Sequence, residues 1–244
     1  MKLEVKNLEK KFKNFVAVNN VNFIINKGKT LGLLGPNGCG KTTTIGMLLG
    51  LIKPSNGEIL IDEMNLEKLN REKVLSKINF ASPYVELPKK LTVKENLEIY
   101  GRLYGIEYLS DRIIELVKDL NLSSFINKKT GELSSGQKNR VSLAKSLINK
   151  PEILFLDEPT ASLDPDVGDY VRKYIEEYKS KNRITILLAS HNMNEVERLC
   201  DEIIMMKEGK IVDRGTCSSL IEKHGRNNLE DTFLKIARNK NELG

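Results

Sequence analysis

The chain has no tryptophan, two histidines, three cysteines and a single glutamine, Gln137. No apolar run approaches the ~18 residues that a membrane-spanning helix needs. Glu4 and Lys6 interrupt the apolar pattern at the N-terminus, so no secretory signal is expected. These absences predict a cytoplasmic protein whose membrane role, if it has one, comes through a partner. Cys39, Cys200 and Cys217 are odd in number, widely spaced and without metal-ligand spacing, which argues against a disulfide scaffold or zinc finger and predicts free thiols. Basic and acidic residues nearly balance, 39 against 33, for a net charge of +6. No basic cluster interleaved with aromatics occurs, so nucleic acid is not an expected partner. At 244 residues the chain can bury one good core with a subdomain attached.

What is present begins with one stretch. Gly35, Gly40, Lys41 and Thr42 satisfy the phosphate-binding pattern G-x-x-x-x-G-K-[ST] through Gly35-Pro36-Asn37-Gly38-Cys39-Gly40-Lys41-Thr42, with Thr43 following. The apolar run Leu31 to Leu34 before it reads as a buried strand, and Ile45, Leu48 and Leu49 after it read as a helix. That strand, loop and helix order is the context the pattern requires. Small residues let backbone N–H groups curl around a phosphate, and the helix N-terminus adds a fixed positive field. Lys41 can reach the β- and γ-phosphates, and the Thr42 hydroxyl can ligate Mg²⁺. Cys39 reads in two ways: as a thiol among these amides, with a lowered pKa and ready reaction with maleimides, or simply as a small residue where only small ones fit.

The remaining patterns give an α/β chain. Met1 to Val5 alternates, as does Val16 to Ile25 after a one-residue slip. Pro54-Ser55-Asn56-Gly57 forms a turn before a strand from Glu58 to Asp62. From about Leu87 to Lys150 the spacing becomes helical. Thr92 with Glu95 forms a capping box, Ser110 opens a helix with Ile113, Val117 and Leu120 on one face, and a third helix follows Gly136. Ile153 to Leu156 and Ile184 to Ala189 are apolar throughout, which suits central strands of a parallel sheet. Ile203 to Val212 reads as a hairpin turning at Glu208-Gly209, and the charged tail from Ser218 as helical. The expected architecture is a phosphate-loop core with a mostly parallel sheet, an N-terminal antiparallel β subdomain and an inserted helical subdomain. Its expected division is 1–86 with 151–217 for the core, 87–150 for the helices and 218–244 for the tail.

Two further stretches carry chemistry. The strand before Asp157-Glu158-Pro159 ends in a carboxylate placed to organise Mg²⁺. Adjacent carboxylates on an extended segment point apart, so Asp157 can serve the metal while Glu158 faces an attacking water as general base. Leu133-Ser134-Ser135-Gly136-Gln137 precedes a helix, and Ser134 with the amides from Gly136 onward makes a second helix N-terminus ready for an anion.

With these motifs in order, the chain resembles the ATP-binding subunits of ABC transporters, whose signature L-S-G-G-Q it matches except for Ser135. The resemblance is greatest to subunits of ABC-2 type export systems, and it covers nearly the whole chain. It implies ATP and Mg²⁺ as cofactors, with Gly35 to Thr42 as the Walker A loop and Ile153 to Asp157 as Walker B. It further implies Phe12 as the ring against adenine, Asp164 in the D-loop Ser162-Leu163-Asp164, and His191 as the switch histidine. Ser134, Ser135, Gly136 and Gln137 then act in trans, capping the γ-phosphate held by Lys41 of a second subunit in a homodimer. An integral membrane permease would be the partner driven by hydrolysis, with the subunit held peripherally at the cytoplasmic face. His224 matches no motif and reads as surface.

One departure stands out. The family carries a glutamine near Mg²⁺ in a loop matching Ile78 to Tyr84, and here that stretch has none. Either the Ser82 hydroxyl or a water takes that position. The loss motivates an alternative, a switch module that closes on ATP but hydrolyses it weakly. A soluble relative acting in translation or DNA maintenance is a second alternative, against which stand the lack of a tandem domain and of long coiled coils. Asn127-Lys128-Lys129-Thr130 begins like a guanine-selecting N-K-x-D but ends without the carboxylate, which favours ATP over GTP.

Overall fold

The computed structural model describes residues 1–66, 74–82, 86–161 and 163–238. The chain forms two compact units, Met1–Arg71 with Thr185–Gly244, and Glu72–Ile184. The first unit begins with β1 (Leu3–Phe12), β2 (Phe15–Ile25), β3 (Thr30–Leu34), α1 (Lys41–Leu48), β4 (Asn56–Ile61) and β5 (Met64–Asn65). The second contains β6 (Ile78–Ala81), α2 (Val93–Leu103), α3 (Leu109–Asp119), α4 (Ser135–Leu147), β7 (Ile153–Asp157) and α5 (Pro165–Asn182). The chain then returns through β8 (Thr185–Ala189), α6 (Met193–Leu199), β9 (Glu202–Lys207), β10 (Lys210–Gly215), α7 (Cys217–His224) and α8 (Leu229–Arg238). The fold is α/β, as the patterns predict. No helix among the described residues is long and apolar enough to cross a membrane.

In the first unit, β2, β1, β4 and β5 form an antiparallel sheet in that order. The slip in the apolar alternation has a structural cause: the β1–β2 register shifts between Val5 and Leu8 and again before Lys10 and Lys11. Such bulges let Leu3, Val5, Leu8, Val18, Val21 and Phe23 all stay buried despite the broken period. A second set of strands runs β10, β9, β3, β8, with β3 parallel to both neighbours. All five residues of β3 are buried, which is why it reads as a continuous apolar run. One side packs on Leu34, Val196, Ile203, Met205, Leu220 and Leu229, with Phe233 and Ile236 of α8 laid against them. The N-terminus is tied in by Thr185, whose hydroxyl donates to Met1 O at 2.5 Å and accepts from Gly28 N–H at 3.2 Å.

In the second unit, β6 and β7 are parallel. β6 occupies part of the stretch read from sequence as a connecting loop. Its residues Ile78 and Ala81 are buried, and Asn79 donates to Asn149 Oδ1 at 2.9 Å. The predicted capping box forms: Glu95 N–H donates to Thr92 Oγ1 at 3.1 Å and Thr92 N–H to Glu95 Oε2 at 2.7 Å. Helix α3 starts at Leu109, one residue before Ser110. Its buried face includes Arg112, whose guanidinium donates to Leu147 O at 2.5 Å and Ile148 O at 3.4 Å and pairs with Glu115 at 2.6 Å. A buried cation is thus satisfied by carbonyls at the C-terminal end of α4, where the helix dipole favours positive charge. Helix α5 buries Gly168, Val171, Ile175 and Tyr178 along one stripe and opens on Pro165.

Candidate functional site

In the first unit, Leu34 ends β3 and the chain curls through Gly35 to Gly40 before α1 begins at Lys41. Gly38 and Gly40 take φ 79 and φ 109, a region open to glycine. A Cβ on Gly40 would sit 2.5 Å from Ala17 O, and one on Gly35 would sit 2.5 Å from Met206 O. Both glycines are therefore demanded by close backbone approach. Pro36 is half-buried, Asn37 and Gly38 are exposed, Thr42 is exposed and Thr43 half-buried at the start of α1. Lys41 is 9% exposed and folds over the loop, its Nζ donating to Gly35 O at 2.5 Å and Pro36 O at 3.2 Å. The loop carbonyls thereby hold the ammonium group against the loop.

Phe12 ends β1 and is 46% exposed, with Lys10 Nζ 4.9 Å from its ring centre. It is not a core residue, so a ring face is open to a flat partner. His191 follows β8 and is exposed. The turn around it is ordered by buried Ser190, whose hydroxyl accepts from Asn192 N–H at 3.1 Å, and by Asn192, which caps α6.

In the second unit, Asp157 is the last residue of β7. Glu158 leaves the strand at φ 51, a left-handed conformation uncommon for glutamate and often found at functional sites. The strand alternation expected from sequence therefore stops at Asp157, and Glu158 sits on a backbone turn instead. Ser82 is buried, and its hydroxyl donates to Asp157 Oδ2 at 3.4 Å. Its carbonyl accepts from Ser142 Oγ of α4 at 3.3 Å. Pro83 and Tyr84 of the same stretch lie outside the described residues, as does Ser162.

Ser134 and Ser135 are exposed, and α4 begins at Ser135, ahead of Gly136. Ser134 Oγ accepts from Gln137 N–H at 3.3 Å, and Gln137 Oε1 accepts from Ser134 N–H at 3.1 Å. The only glutamine of the chain therefore closes a capping box, a spacing legible in Ser134-x-x-Gln137. This bond uses a lone pair of the Ser134 hydroxyl and leaves its proton to donate outward. Asn139 of α4 donates to Ala161 O at 3.2 Å, linking the helix to the chain just before exposed Asp164, the N-cap of α5. Ser82 and Asp157 are thus brought together, and the helix of Ser134 is tied to the strand β6 and to the segment after Glu158.

The sequence profile described as "ABC transporter" matches residues 18–161. The chain is 37% identical over 226 residues to the ABC transporter ATP-binding protein NatA of Bacillus subtilis (strain 168), covering 91% of each. It is 36% identical to Nod factor export ATP-binding protein I of Burkholderia lata over 90% of this chain and 72% of that one. The chain belongs to the ABC transporter family. Among solved structures, an ATP-binding subunit of an ABC transporter superposes with a TM-score of 0.88 at 26% identity, over 98% of this chain and 100% of that one. The dimeric post-hydrolysis cassette MJ0796, bound to ADP and Pi, gives 0.81 at 28% identity over 88% and 98%. This ABC chain is an ATP-binding, ATP-hydrolysing cassette.

Two expectations for this ABC cassette are corrected. The acidified-thiol reading of Cys39 fails: the residue is 2% exposed, and burial pushes its pKa up despite the opposing charge of Lys41, whose Nζ is 3.9 Å away. His224 was read as surface. Its Nε2 instead lies 2.5 Å from Asp213 Oδ2, beside the Lys223–Asp213 ion pair at 2.7 Å. Burial raises the Asp213 pKa, but hydrogen bonds from Lys223, His224 and the Arg214 N–H outweigh it and hold the carboxyl below its ordinary value. The cluster fastens α7 to β10. Neither the buried Arg112 nor this triad carries a local sequence signal, because each depends on partners far along the chain or on another element.

Proposed function

We propose that the chain is the ATPase subunit of an export system with a separate membrane permease, working as a homodimer with composite ATP sites. The observation that carries this reading is the Ser134 cap. An exposed helix N-terminus with an outward-donating hydroxyl suits a γ-phosphate presented by another subunit. The names of the relatives, which include export ATP-binding proteins, support the export direction. On this reading Lys41 and the loop amides from Pro36 to Thr43 hold the phosphates and Phe12 stacks on adenine. Ser134, Ser135, Gly136 and Gln137 cap the partner subunit's nucleotide, and Asp164 lies at the dimer contact. Glu158 accepts a proton from the attacking water, with His191 orienting the γ-phosphate. The helical segment 87–150 carries the cap, the core comprises 1–86 and 151–217, and 218–244 forms the tail. The subunit is held at the cytoplasmic face by its permease.

On the same reading Mg²⁺ accompanies ATP, with the hard oxygens of Thr42 and Asp157 as its candidate protein ligands. Mg²⁺ is typically held in this way, by one or two protein oxygens together with phosphates and water. When bound, it supplies charge neutralisation at the β- and γ-oxygens. The Thr42 hydroxyl and the Asp157 carboxylate would hold it, and Ser82, whose hydroxyl donates to Asp157 Oδ2, either orients that carboxylate or joins it as a ligand.

The test is to recover the tagged protein from detergent-solubilised membranes and identify the chain that co-purifies. A multi-span permease supports transport. Ribosomal proteins, or the cassette alone, would overturn it.

A further inference from the structure

Gly209 lies outside every motif above. It is the second residue of the two-residue turn between β9 and β10, with Glu208 at φ 48 and Gly209 at φ 78, the doubly left-handed geometry of a tight hairpin. Its N–H donates to Cys39 O at 3.0 Å, and its carbonyl accepts from Asn19 N–H at 2.8 Å. The turn is therefore fastened on one side to the phosphate loop and on the other to β2. A Cβ on Gly209 would sit 2.9 Å from Ala17 O, the same carbonyl that excludes a side chain at Gly40. Loop, hairpin turn and β2 meet here backbone to backbone.

The consequence follows from peptide geometry. Cys39 C=O and Gly40 N–H belong to one peptide unit, and the chain has no cis bond among the described residues. In a planar trans peptide the carbonyl and the N–H point in opposite directions. Holding Cys39 O toward Gly209 turns the Gly40 N–H the other way, away from the hairpin. Gly40 is the N-cap of α1 at φ 109, where rotation of that peptide would otherwise be easy.

We propose that Gly209 is a positioning residue for nucleotide binding: its N–H sets the Cys39–Gly40 peptide so that Gly40 N–H faces the phosphate. The proposal rests on the phosphate-loop reading. Gly209→Ala forces the turn off Ala17 O and lengthens the bond to Cys39. ATP affinity then falls at least about tenfold, as expected for losing alignment of one hydrogen bond to a charged group. The downfield shift of the Gly40 amide proton on adding ATP, read in spectra of nitrogen-labelled glycine, shrinks with it. Glu208→Asn tolerates positive φ and keeps the Gly209 N–H, so it binds ATP as the unaltered chain does.

A folded Gly209→Ala protein with unchanged ATP affinity, or with an unchanged Gly40 shift, overturns the proposal. Should that variant fail to fold, the unaltered chain decides, because coupling is reciprocal. ATP must then slow hydrogen exchange at the Gly209 amide and leave the Gly225 amide, bonded to Glu222 O in α7, untouched. Equal exchange at Gly209 with and without ATP rejects it. Lys41→Ala separates the two levels. Full ATP affinity in that variant sinks the phosphate-loop reading itself, whereas lost affinity there beside retained affinity in Gly209→Ala sinks only the role of Gly209.

Discussion

The hydroxyl of Ser82 points at the carboxylate of Asp157, 3.4 Å from Oδ2, while the Ser82 carbonyl is held by Ser142 of α4. Through this hydrogen bond Ser82 can orient the Asp157 carboxylate. Ser82→Ala is expected to raise the Mg²⁺ concentration for half-maximal ATP hydrolysis by about twofold to fivefold, the worth of one modest hydrogen bond. Ser82→Gln should shift the same midpoint. Midpoints and rates unchanged in both variants would show that this stretch has lost its bearing on the metal.

Glu158→Gln preserves side-chain shape but removes the basic oxygen. ATP turnover is expected to fall about 10²- to 10⁴-fold, measured as phosphate release, while ATP shifts the variant toward a dimer on size exclusion. Turnover equal to that of the unaltered chain would remove Glu158 from the role of base.

Cys39 is buried with its pKa pushed up, and only the thiolate attacks maleimide. Labelling of its peptide, followed by mass spectrometry, is expected to be slow at pH 7, to quicken as pH rises and to slow again with ATP. Rapid labelling at pH 7 in the folded, nucleotide-free chain would contradict the burial seen here.

Lys145 of α4 is half-buried, its Nζ donating to Phe80 O at 3.0 Å and lying 5.4 Å from the Tyr100 ring centre. Burial lowers its pKa from 10.5 to about 8. Between these values the unfolded chain binds the proton and the folded chain does not, so this group makes stability rise with pH from about 8 to 10.5. The effect is on the order of 3 kcal/mol. Lys145→Met should be more stable than the unaltered chain at pH 7 and lose that advantage by about pH 10. Parallel urea titrations across this range check it, and a pH-independent difference would refute it.

Much of the site was legible because its motifs are local. Gly35 to Thr42 forms a loop between a buried strand and a helix, and each of those elements announces itself within a few residues. The Thr92–Glu95 box and the Glu208-Gly209 turn were legible for the same reason. Strand β6 was missed because four residues ending near a proline look like a loop until a parallel neighbour supplies their hydrogen bonds. The acidified reading of Cys39 fails because position at a helix start argues for a low pKa, whereas the burial that opposes it comes from packing around the loop.

By itself, the sequence determined the class of the protein, the phosphate loop, the Asp157–Glu158 pair and the Ser134 signature, since each is written in contiguous residues with fixed spacing. Tertiary structure alone decided how those groups are aimed. The hydroxyl of Ser82 on Asp157 and the Gly209 N–H on Cys39 O each join a motif residue to a group that spacing cannot locate, and the chain turns left-handed at Glu158 where β7 ends. The physical reason is the range of the interactions: backbone propensity and capping act within a turn or two of chain, whereas burial and hydrogen-bond direction depend on which distant segments pack alongside.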